Sequence, residues 1–148
     1  MNITPLAFSE STLGTELTID GITQTLGQLN NWTDRYRQLF KLANQLIPLA
    51  DNYKVDSHLV EGCESAVWLH HHFDLQSNKH YFLADSDSKI IKGLLVIVLS
   101  TCNQQTSETI LAVDLQTIIE QLNFGKYLTP SRTNGLLSVM VEIKRHCQ

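Results

Sequence analysis

Apolar residues recur along the chain with two different periods, and each period predicts its own kind of secondary structure. In five stretches they return every three to four positions, which is typical of amphipathic helices. Residues that often cap helices precede these stretches, namely Thr18, Asn31, the segment Asp85–Asp87, Asp114 and Thr129. We predict a helix after each, the second ending before Pro48, the fourth at Gly125, and the last covering Leu136–Ile143. The third stretch, Ile90–Cys102, could locally pass for a strand, but its length and the capping segment favour a helix.

Between the second and third predicted helices the period changes to two. Over Ser65–Leu75 alternate residues are apolar, which is the signature of a strand with one buried face. Gln76–Lys79 supplies turn residues and a second β-rich run follows over His80–Ala84, so the pair predicts an antiparallel hairpin. Helices around a small antiparallel sheet make an α+β fold. We predict one domain over residues 1–148, in which residues 1–16 form a loosely patterned N-terminal arm.

Composition and charge exclude several classes of function. The 148 residues carry a formal net charge of -4, and the Lys and Arg residues form no basic stripe, so a nucleic-acid partner is not expected. Met1–Glu10 lacks the positive and apolar regions of a secretory signal, and the longest aliphatic run, Leu94–Leu99, is too short to cross a bilayer. We therefore expect a cytoplasmic protein with no membrane partner.

The three cysteines are candidates for chemistry, and their contexts differ. Their number is odd and no C-x-x-C pair is present, so free thiols are expected in a reducing compartment. Cys102 ends the most apolar stretch and should be buried, whereas Cys147 should lie in an exposed C-terminal tail. Cys63 belongs to the polar segment Glu61–Ser65 ahead of the first strand. Its thiol should therefore lie near the surface.

Gly62 makes Cys63 a candidate functional residue. Glycine adopts backbone angles closed to other residues, so a tight loop could present the next side chain at its tip. A presented thiol suits sulfur relay, because a thiolate attacks the outer sulfur of a persulfide as in thiol–disulfide exchange. An inert loop cysteine is the alternative. Glu61 and Glu64 would raise the pKa of the thiol, so any activation must come from elsewhere.

The run His70–His72 suggests a metal site, but strand geometry argues against it. Alternate residues of a strand face opposite sides, so only the first and third histidines share a side, together with Trp68. A structural zinc site needs four ligands, and His58 or His80 could complete a set only if the fold brings them close. We interpret this face as half-buried surface and expect no bound metal.

Four segments match, in order, the blocks of a known family. Leu59–Leu69 is similar to a G-C-x-x-x-V-W segment, and the other three are Trp32–Leu39 (W-[ED]-[DE]-[KR]-Y), Asp85–Leu94 (D-S-[DE], then I-[VI]-[KR]-G-L) and Ser131–Leu136 (S-R-x-x-G-L). Together they resemble the SufE/CsdE family of sulfur-acceptor proteins. Ala84 and Asn134 depart from the pattern, which has Gly and Gln there. The Leu13-Gly14-Thr15 extension is closer to the CsdE branch.

The resemblance implies a role for Cys63. Family members bind a pyridoxal-phosphate-dependent cysteine desulfurase of the SufS/CsdA type, accept its persulfide sulfur on the loop cysteine, stimulate its turnover, and pass the sulfur to an iron–sulfur scaffold or another user. The same is implied here, as a carrier and activator rather than a stand-alone enzyme, with no cofactor and no permanent metal on this chain. The implied fold is the α+β fold of SufE and IscU-type proteins.

Arg132 belongs to the last of the four blocks. Near Cys63, its guanidinium would favour thiolate and persulfide anions; the alternative is a surface Arg at the start of the last helix.

Two other functions of the protein stay open. One is an iron–sulfur or zinc scaffold, which needs three or more clustered ligands, and the other is a regulatory binding module with an incidental cysteine.

Overall fold

The fold is a two-stranded antiparallel sheet covered by helices. The computed structural model describes residues 3, 5–122, 124 and 128–148. Within them the strands are β1 (Val67–Asp74) and β2 (Lys79–Ser86), and the α-helices are α1 (Pro5–Ser9), α2 (Ile19–Gly27), α3 (Trp32–Ala43), α4 (Lys89–Cys102), α5 (Ser107–Leu111), α6 (Leu115–Leu122) and α7 (Pro130–Arg145). Two 3₁₀ turns, Asp51–Tyr53 and Asp56–His58, link α3 to the sheet. The predicted α+β class is confirmed.

The hairpin forms as predicted, with a somewhat longer second strand. Its strands pair in antiparallel register along their whole length, and β2 continues to Ser86. The Asp74 carboxylate holds the turn by accepting hydrogen bonds from the Gln76 amide at 3.2 Å and the Ser77 hydroxyl at 2.7 Å. Asn78 has a φ of +57°, in the left-handed region that Asn tolerates. Local turn chemistry thus fixes the register.

The α4 helix lies at the centre of the core. Eleven of its fourteen residues are buried, and it packs against β2, α3 and α7. The helix begins after Ser88, whose hydroxyl oxygen accepts a hydrogen bond from the Ile91 amide at 3.4 Å. The prediction that Asp85–Asp87 caps this helix was wrong, because Asp85 and Ser86 belong to β2. Within the described part of the chain, no helix has the length and hydrophobicity needed to span a membrane.

Caps predicted for the four other helices are confirmed. The side chains of Thr18, Asn31, Asp114 and Thr129 accept hydrogen bonds from amides at the starts of α2, α3, α6 and α7. The α3 helix ends at Ala43, several residues before Pro48. Capping residues therefore predicted the beginnings of these helices better than breaking residues predicted the ends.

Two short helices, α1 and α5, were not predicted from the sequence. Each has five residues, which is too short for an apolar period to be visible. The N-terminal segment nevertheless reaches the core, since Leu13 is 1% exposed and its carbonyl accepts a hydrogen bond from Asn103 Nδ2 at 2.9 Å. Gly125, the predicted end of the fourth helix, lies outside the described residues.

The α3 and α4 helices cross so closely that a glycine is needed at the crossing. A Cβ on Gly93 would lie 2.4 Å from the carbonyl oxygen of Leu39 and 2.8 Å from its Cγ. A close-packed interior cannot yield that much space without moving backbone. Gly93 therefore sets the distance between the two helices.

We expect Gly93→Ala to lower the free energy of unfolding by about 1–3 kcal/mol, the usual cost of overpacking, although alanine is the better helix former. Gly27→Ala is the matched control, because nothing lies within 4 Å of the added methyl group. The control should be neutral or should stabilise the protein by up to about 1 kcal/mol. Urea unfolding measures both values, and equal stabilities of the two variants would contradict the close approach.

Candidate functional site

Cys63 lies in a tight loop between the second 3₁₀ turn and β1. The base of the loop is closed by a hydrogen bond from the Val60 amide to the Val67 carbonyl at 2.9 Å. At Gly62 the backbone has a φ of +94°, which L side chains rarely adopt. The side chain of Cys63 is half-buried and packs against the main core. The thiol is therefore less exposed than the polar sequence around it suggests.

The loop rests on α7 at two close contacts. The Cys63 thiol donates a hydrogen bond to the Gly135 carbonyl, with Sγ and oxygen 3.4 Å apart. A Cβ on Gly135 would lie 3.5 Å from this sulfur, so the helix backbone itself forms the wall beside the thiol. A Cβ on Gly62 would lie 2.6 Å from Ser138 Oγ, about one helical turn further along. The missing side chains of the two glycines let the loop lie directly on the helix.

A pocket of about 100 Å³ opens beside the thiol. Cys63 and Val67 line it from the loop and β1, Ser88 and Ile91 line it from the start of α4, and the first turns of α7 complete the wall. Three of the four sequence blocks therefore meet around one cavity. The fourth block supports the site indirectly, since Leu39 packs against the Gly93 backbone of α4.

Burial raises the pKa of the Cys63 thiol above its ordinary value. The direction agrees with the sequence analysis, which attributed it to Glu61 and Glu64, but the cause is desolvation rather than the two carboxylates. At neutral pH the seated thiol is therefore protonated and a poor nucleophile. Burial therefore lowers the fraction of reactive thiolate at Cys63.

Arg132 is the third residue of α7 and lines the same pocket as Cys63. Its side chain is half-buried, and its backbone amide donates a hydrogen bond to Thr129 Oγ1 at 3.3 Å. Both interpretations of the sequence describe part of this environment: Arg132 starts the last helix, and it borders the cavity of the thiol.

The sequence analysis assigned Asp85 to a helix cap and missed its structural role as a buried carboxylate. Asp85 is only 2% exposed. Its carboxylate accepts hydrogen bonds from the amides of Leu49 at 3.3 Å and Ser86 at 2.8 Å. It also forms ion pairs with the ammonium groups of Lys54 at 3.4 Å and Lys92 at 3.5 Å. A buried carboxylate needs such partners. The neighbouring Ser86 hydroxyl donates to the Ala66 carbonyl at 2.7 Å, which fixes the end of the Cys63 loop. An acidic residue at the end of an apolar β run was the available signal.

The other two thiols are placed differently from Cys63. Cys102 is fully buried, as predicted, and burial raises the pKa of its thiol to about 12. Cys147 was predicted in an exposed tail, but it is half-buried against the core, and its thiol donates to the Ile143 carbonyl at 3.5 Å. The prediction failed because hydrogen bonds from the His146 and Cys147 amides to the Ile143 and Lys144 carbonyls continue the helical path beyond α7 and keep Cys147 beside the core. Among the described residues, no three His, Cys, Asp or Glu side chains are placed to hold a metal ion.

The histidines of β1 pack in two separate groups. On one face, Nε2 of His70 lies 2.9 Å from the Tyr53 carbonyl oxygen, and its ring stacks on His58 at 3.8 Å. His70 is buried, so the half-buried surface predicted for this face describes only Trp68 and His72. The contacts with Tyr53 and His58 thus occupy both the ring nitrogen and the ring face of His70.

His71 faces the other side and meets the end of α7. Its Nε2 lies 2.7 Å from Nδ1 of His80, and its ring stacks on His146 at 4.3 Å. Nε2 of His80 lies 2.6 Å from the Ser107 hydroxyl. Burial, and then repulsion from the neighbouring histidines, lowers the pKa of His71 to about 4. This cluster is neutral at pH 7 and joins the sheet to the C-terminal helix.

The fold and the site define a small α+β protein with a loop thiol. The profile described as "SufE: Fe-S metabolism associated domain" matches residues 20–147, and the chain belongs to this family. One curated relative is the sulfur acceptor protein CsdE of Escherichia coli (strain K12), 32% identical over 129 residues that cover 87% of each chain. The solution structure of a hypothetical protein from Thermus thermophilus shares the fold, with a TM-score of 0.70 and 14% identity over 87% of this chain and 92% of that one. The resemblance seen in the four blocks is confirmed.

We expect the free energy of unfolding to fall as the pH drops from about 6.5 to about 4. Folding lowers the pKa of His71 from 6.5 to about 4, so in this window the unfolded chain binds a proton that the folded chain does not. His71→Gln should weaken the pH dependence, whereas His72→Gln, on the opposite face, should retain it. Urea unfolding at pH 7 and pH 5 measures the difference. Identical pH dependence in His71→Gln and the unaltered protein would contradict this assignment.

Proposed function

We propose that this protein is a sulfur acceptor that takes sulfur onto Cys63 from the persulfide of a cysteine desulfurase. The observation that carries the proposal is the convergence of three sequence blocks on one pocket, with the Cys63 thiol seated against Gly135 and Arg132 on the same wall. The family's association with Fe–S metabolism and the sulfur-acceptor role of the E. coli relative support it.

The transfer step needs only thiol chemistry. The Cys63 thiol loses its proton to solvent, and the thiolate attacks the outer sulfur of the donor persulfide. A new S–S bond forms on Cys63 while the donor's S–S bond breaks and its own thiolate leaves. No net oxidation occurs, so this chain needs no redox partner and no cofactor. The pyridoxal phosphate that generates the donor persulfide belongs to the desulfurase.

Arg132 is proposed to assist this step electrostatically. Burial disfavours a charged sulfur in the pocket, and a permanently charged guanidinium nearby offsets that penalty for the thiolate and for the persulfide anion. The pocket gives both groups a common wall, so the sulfur and the guanidinium share a partly desolvated space where their attraction is less screened.

Two partners are proposed: one donates sulfur to Cys63 and the other receives sulfur from it. The donor is a cysteine desulfurase of the SufS/CsdA type, whose turnover this protein stimulates by removing its sulfur. The recipient is an iron–sulfur scaffold or another sulfur-using protein. Both exchanges occur in the reducing cytoplasm, where the three thiols stay free.

Incubation with cysteine and a desulfurase of this type should add the mass of one sulfur atom to Cys63, in a form that a reductant removes. Cys63→Ser should abolish both the mass gain and the stimulation of turnover, because a hydroxyl is no nucleophile without a base. Cys147→Ser is the matched control, since it removes the other half-buried thiol. Intact-mass and peptide mass spectrometry provide the readout. Sulfur found on Cys147, or full stimulation by Cys63→Ser, would refute the relay.

Arg132→Ala should slow sulfur acceptance about tenfold, the effect of losing one pKa unit of thiolate stabilisation. Arg145→Ala is the matched control, because Arg145 lies on the same helix but its side chain is 67% exposed and pairs with Glu142. Arg132→Lys should restore part of the rate by restoring the charge. Single-turnover transfer from a preloaded desulfurase measures the three rates. If all three variants transfer equally fast, Arg132 has no electrostatic role.

A further inference from the structure

We propose that Ser86 is a positioning residue for sulfur acceptance: its buried hydroxyl holds two walls of the Cys63 pocket at a fixed distance from each other. The inference rests on the proposed function, because it concerns the rate at which Cys63 accepts sulfur. Ser86 acts through the backbone of its neighbours and is not itself a catalytic residue.

The Ser86 hydroxyl lies between two segments of the chain and bonds to both. It donates a hydrogen bond to the Ala66 carbonyl at 2.7 Å and accepts one from the Ser88 amide at 3.2 Å. Ala66 is the last residue before β1, and Ser88 is the last residue before α4. One hydroxyl therefore links the exit of the Cys63 loop to the start of α4.

The surroundings of Ser86 fix the direction in which this hydroxyl points. The residue is 2% exposed and pairs with Val67 at the end of the hairpin. Its amide donates to Asp85 Oδ1 at 2.8 Å, and that carboxylate is itself held by two lysines. A fully bonded buried network is rigid. The two hydrogen bonds of the hydroxyl therefore keep one geometry.

Both linked segments line the pocket beside the thiol. Val67 follows Ala66 and lines the cavity from β1, while Ser88 and Ile91 line it from α4. The Ile91 amide donates to Ser88 Oγ at 3.4 Å, so a shift of Ser88 passes into the first turn of the helix. The pocket has a volume of only about 100 Å³. A small movement of either wall therefore changes the surroundings of the sulfur.

Loss of the hydroxyl would also bring water to the pocket. The Ala66 carbonyl and the Ser88 amide would each lose a partner, and water is the replacement that such groups recruit. Burial is what raises the pKa of the Cys63 thiol, so added water would reverse part of that effect. The same water would screen the attraction between the sulfur and Arg132. The thiol would ionise more easily but would be held less accurately.

Transfer of sulfur from a preloaded desulfurase is the first test. Ser86→Ala should lower the maximal first-order rate about tenfold, within the loss of up to about a hundredfold that a misplacement of about 1 Å causes. The desulfurase concentration that gives half of this rate should not change, because Ser86 is buried and offers no surface to a partner. Ser86→Thr should restore the rate. Ser86→Val has the shape of threonine without the hydroxyl, so it should be as slow as Ser86→Ala.

Ser100→Ala is the matched control for loss of a buried hydroxyl. Ser100 is 4% exposed, and its hydroxyl donates over the same 2.7 Å, to the Ile97 carbonyl within α4. This variant should transfer at the normal rate. Urea unfolding establishes that each variant is folded under the assay conditions, and the comparison of Ser86→Thr with Ser86→Val decides the outcome even if Ser86→Ala does not fold.

The pH dependence of Cys63 alkylation is the second test, and it needs no desulfurase. In a Cys147→Ser background Cys63 is the accessible thiol, since the third cysteine is fully buried. Ser86→Ala should lower the pKa of Cys63 toward its ordinary value and make iodoacetamide react about threefold faster at pH 7. Ser86→Val should do the same relative to Ser86→Thr. Among the described residues, the charged side chains that line the pocket are Glu64 and Arg132, and both stay unchanged, so a shift reports hydration.

Slower transfer together with a lowered pKa of Cys63, both reversed in Ser86→Thr, is the expected result. Equal behaviour of Ser86→Thr and Ser86→Val in either test would overturn the proposal. So would a loss of rate in Ser100→Ala as large as that in Ser86→Ala, because the rate would then follow stability. If the unaltered protein accepts no sulfur on Cys63, the proposed function fails instead, and the alkylation profile still decides whether Ser86 positions the pocket.

Discussion

Nearly every side of α4 is apolar, and the other elements take positions that cover it. Burying one Leu, Ile or Val side chain contributes roughly 1.5–3 kcal/mol. The run Leu94–Leu99 therefore outweighs any polar contact in the candidate site, each of which contributes about 1 kcal/mol. β2, α3 and α7 all pack on this helix. The site exists because covering α4 brings the start of α7 next to the start of β1.

Three glycines set the close approaches in this arrangement, because they have no side chain. Gly93 lets α3 approach α4, and Gly135 lets the sulfur of Cys63 lie on the backbone of α7. Gly62 adopts a φ of +94° and passes close to Ser138, so its role combines conformation and space. Each of these glycines removes an atom that would otherwise separate two parts of the chain. A close-packed interior transmits such small differences directly to the site.

Local pattern in the sequence predicted the hairpin, the cores of five helices and four caps, because periodicity and capping depend on residues within a few positions. The ordered blocks also marked the segments that line the pocket. Burial of Asp85 and Cys147 could not be predicted in this way. Lys54, Lys92 and Leu49 become the partners of Asp85 only when distant segments meet. The five-residue helices α1 and α5 are too short to show an apolar period.

The base and the tip of the Cys63 loop are held with very different strength. At its base the Val60–Val67 hydrogen bond, the Ser86–Ala66 hydrogen bond and the buried Asp85 network tie the loop to the sheet. At its tip the weak S–H donor of Cys63, van der Waals contacts with Gly135 and packing against the core hold the side chain on α7. Local opening follows the weakest contacts, so the tip can leave the helix at a free energy far below that of global unfolding. Burial suppresses the reactivity of the seated thiol, and the weak seat makes that suppression reversible. In the proposed sulfur relay, a partner that binds the displaced tip therefore needs to supply only the free energy of this local opening.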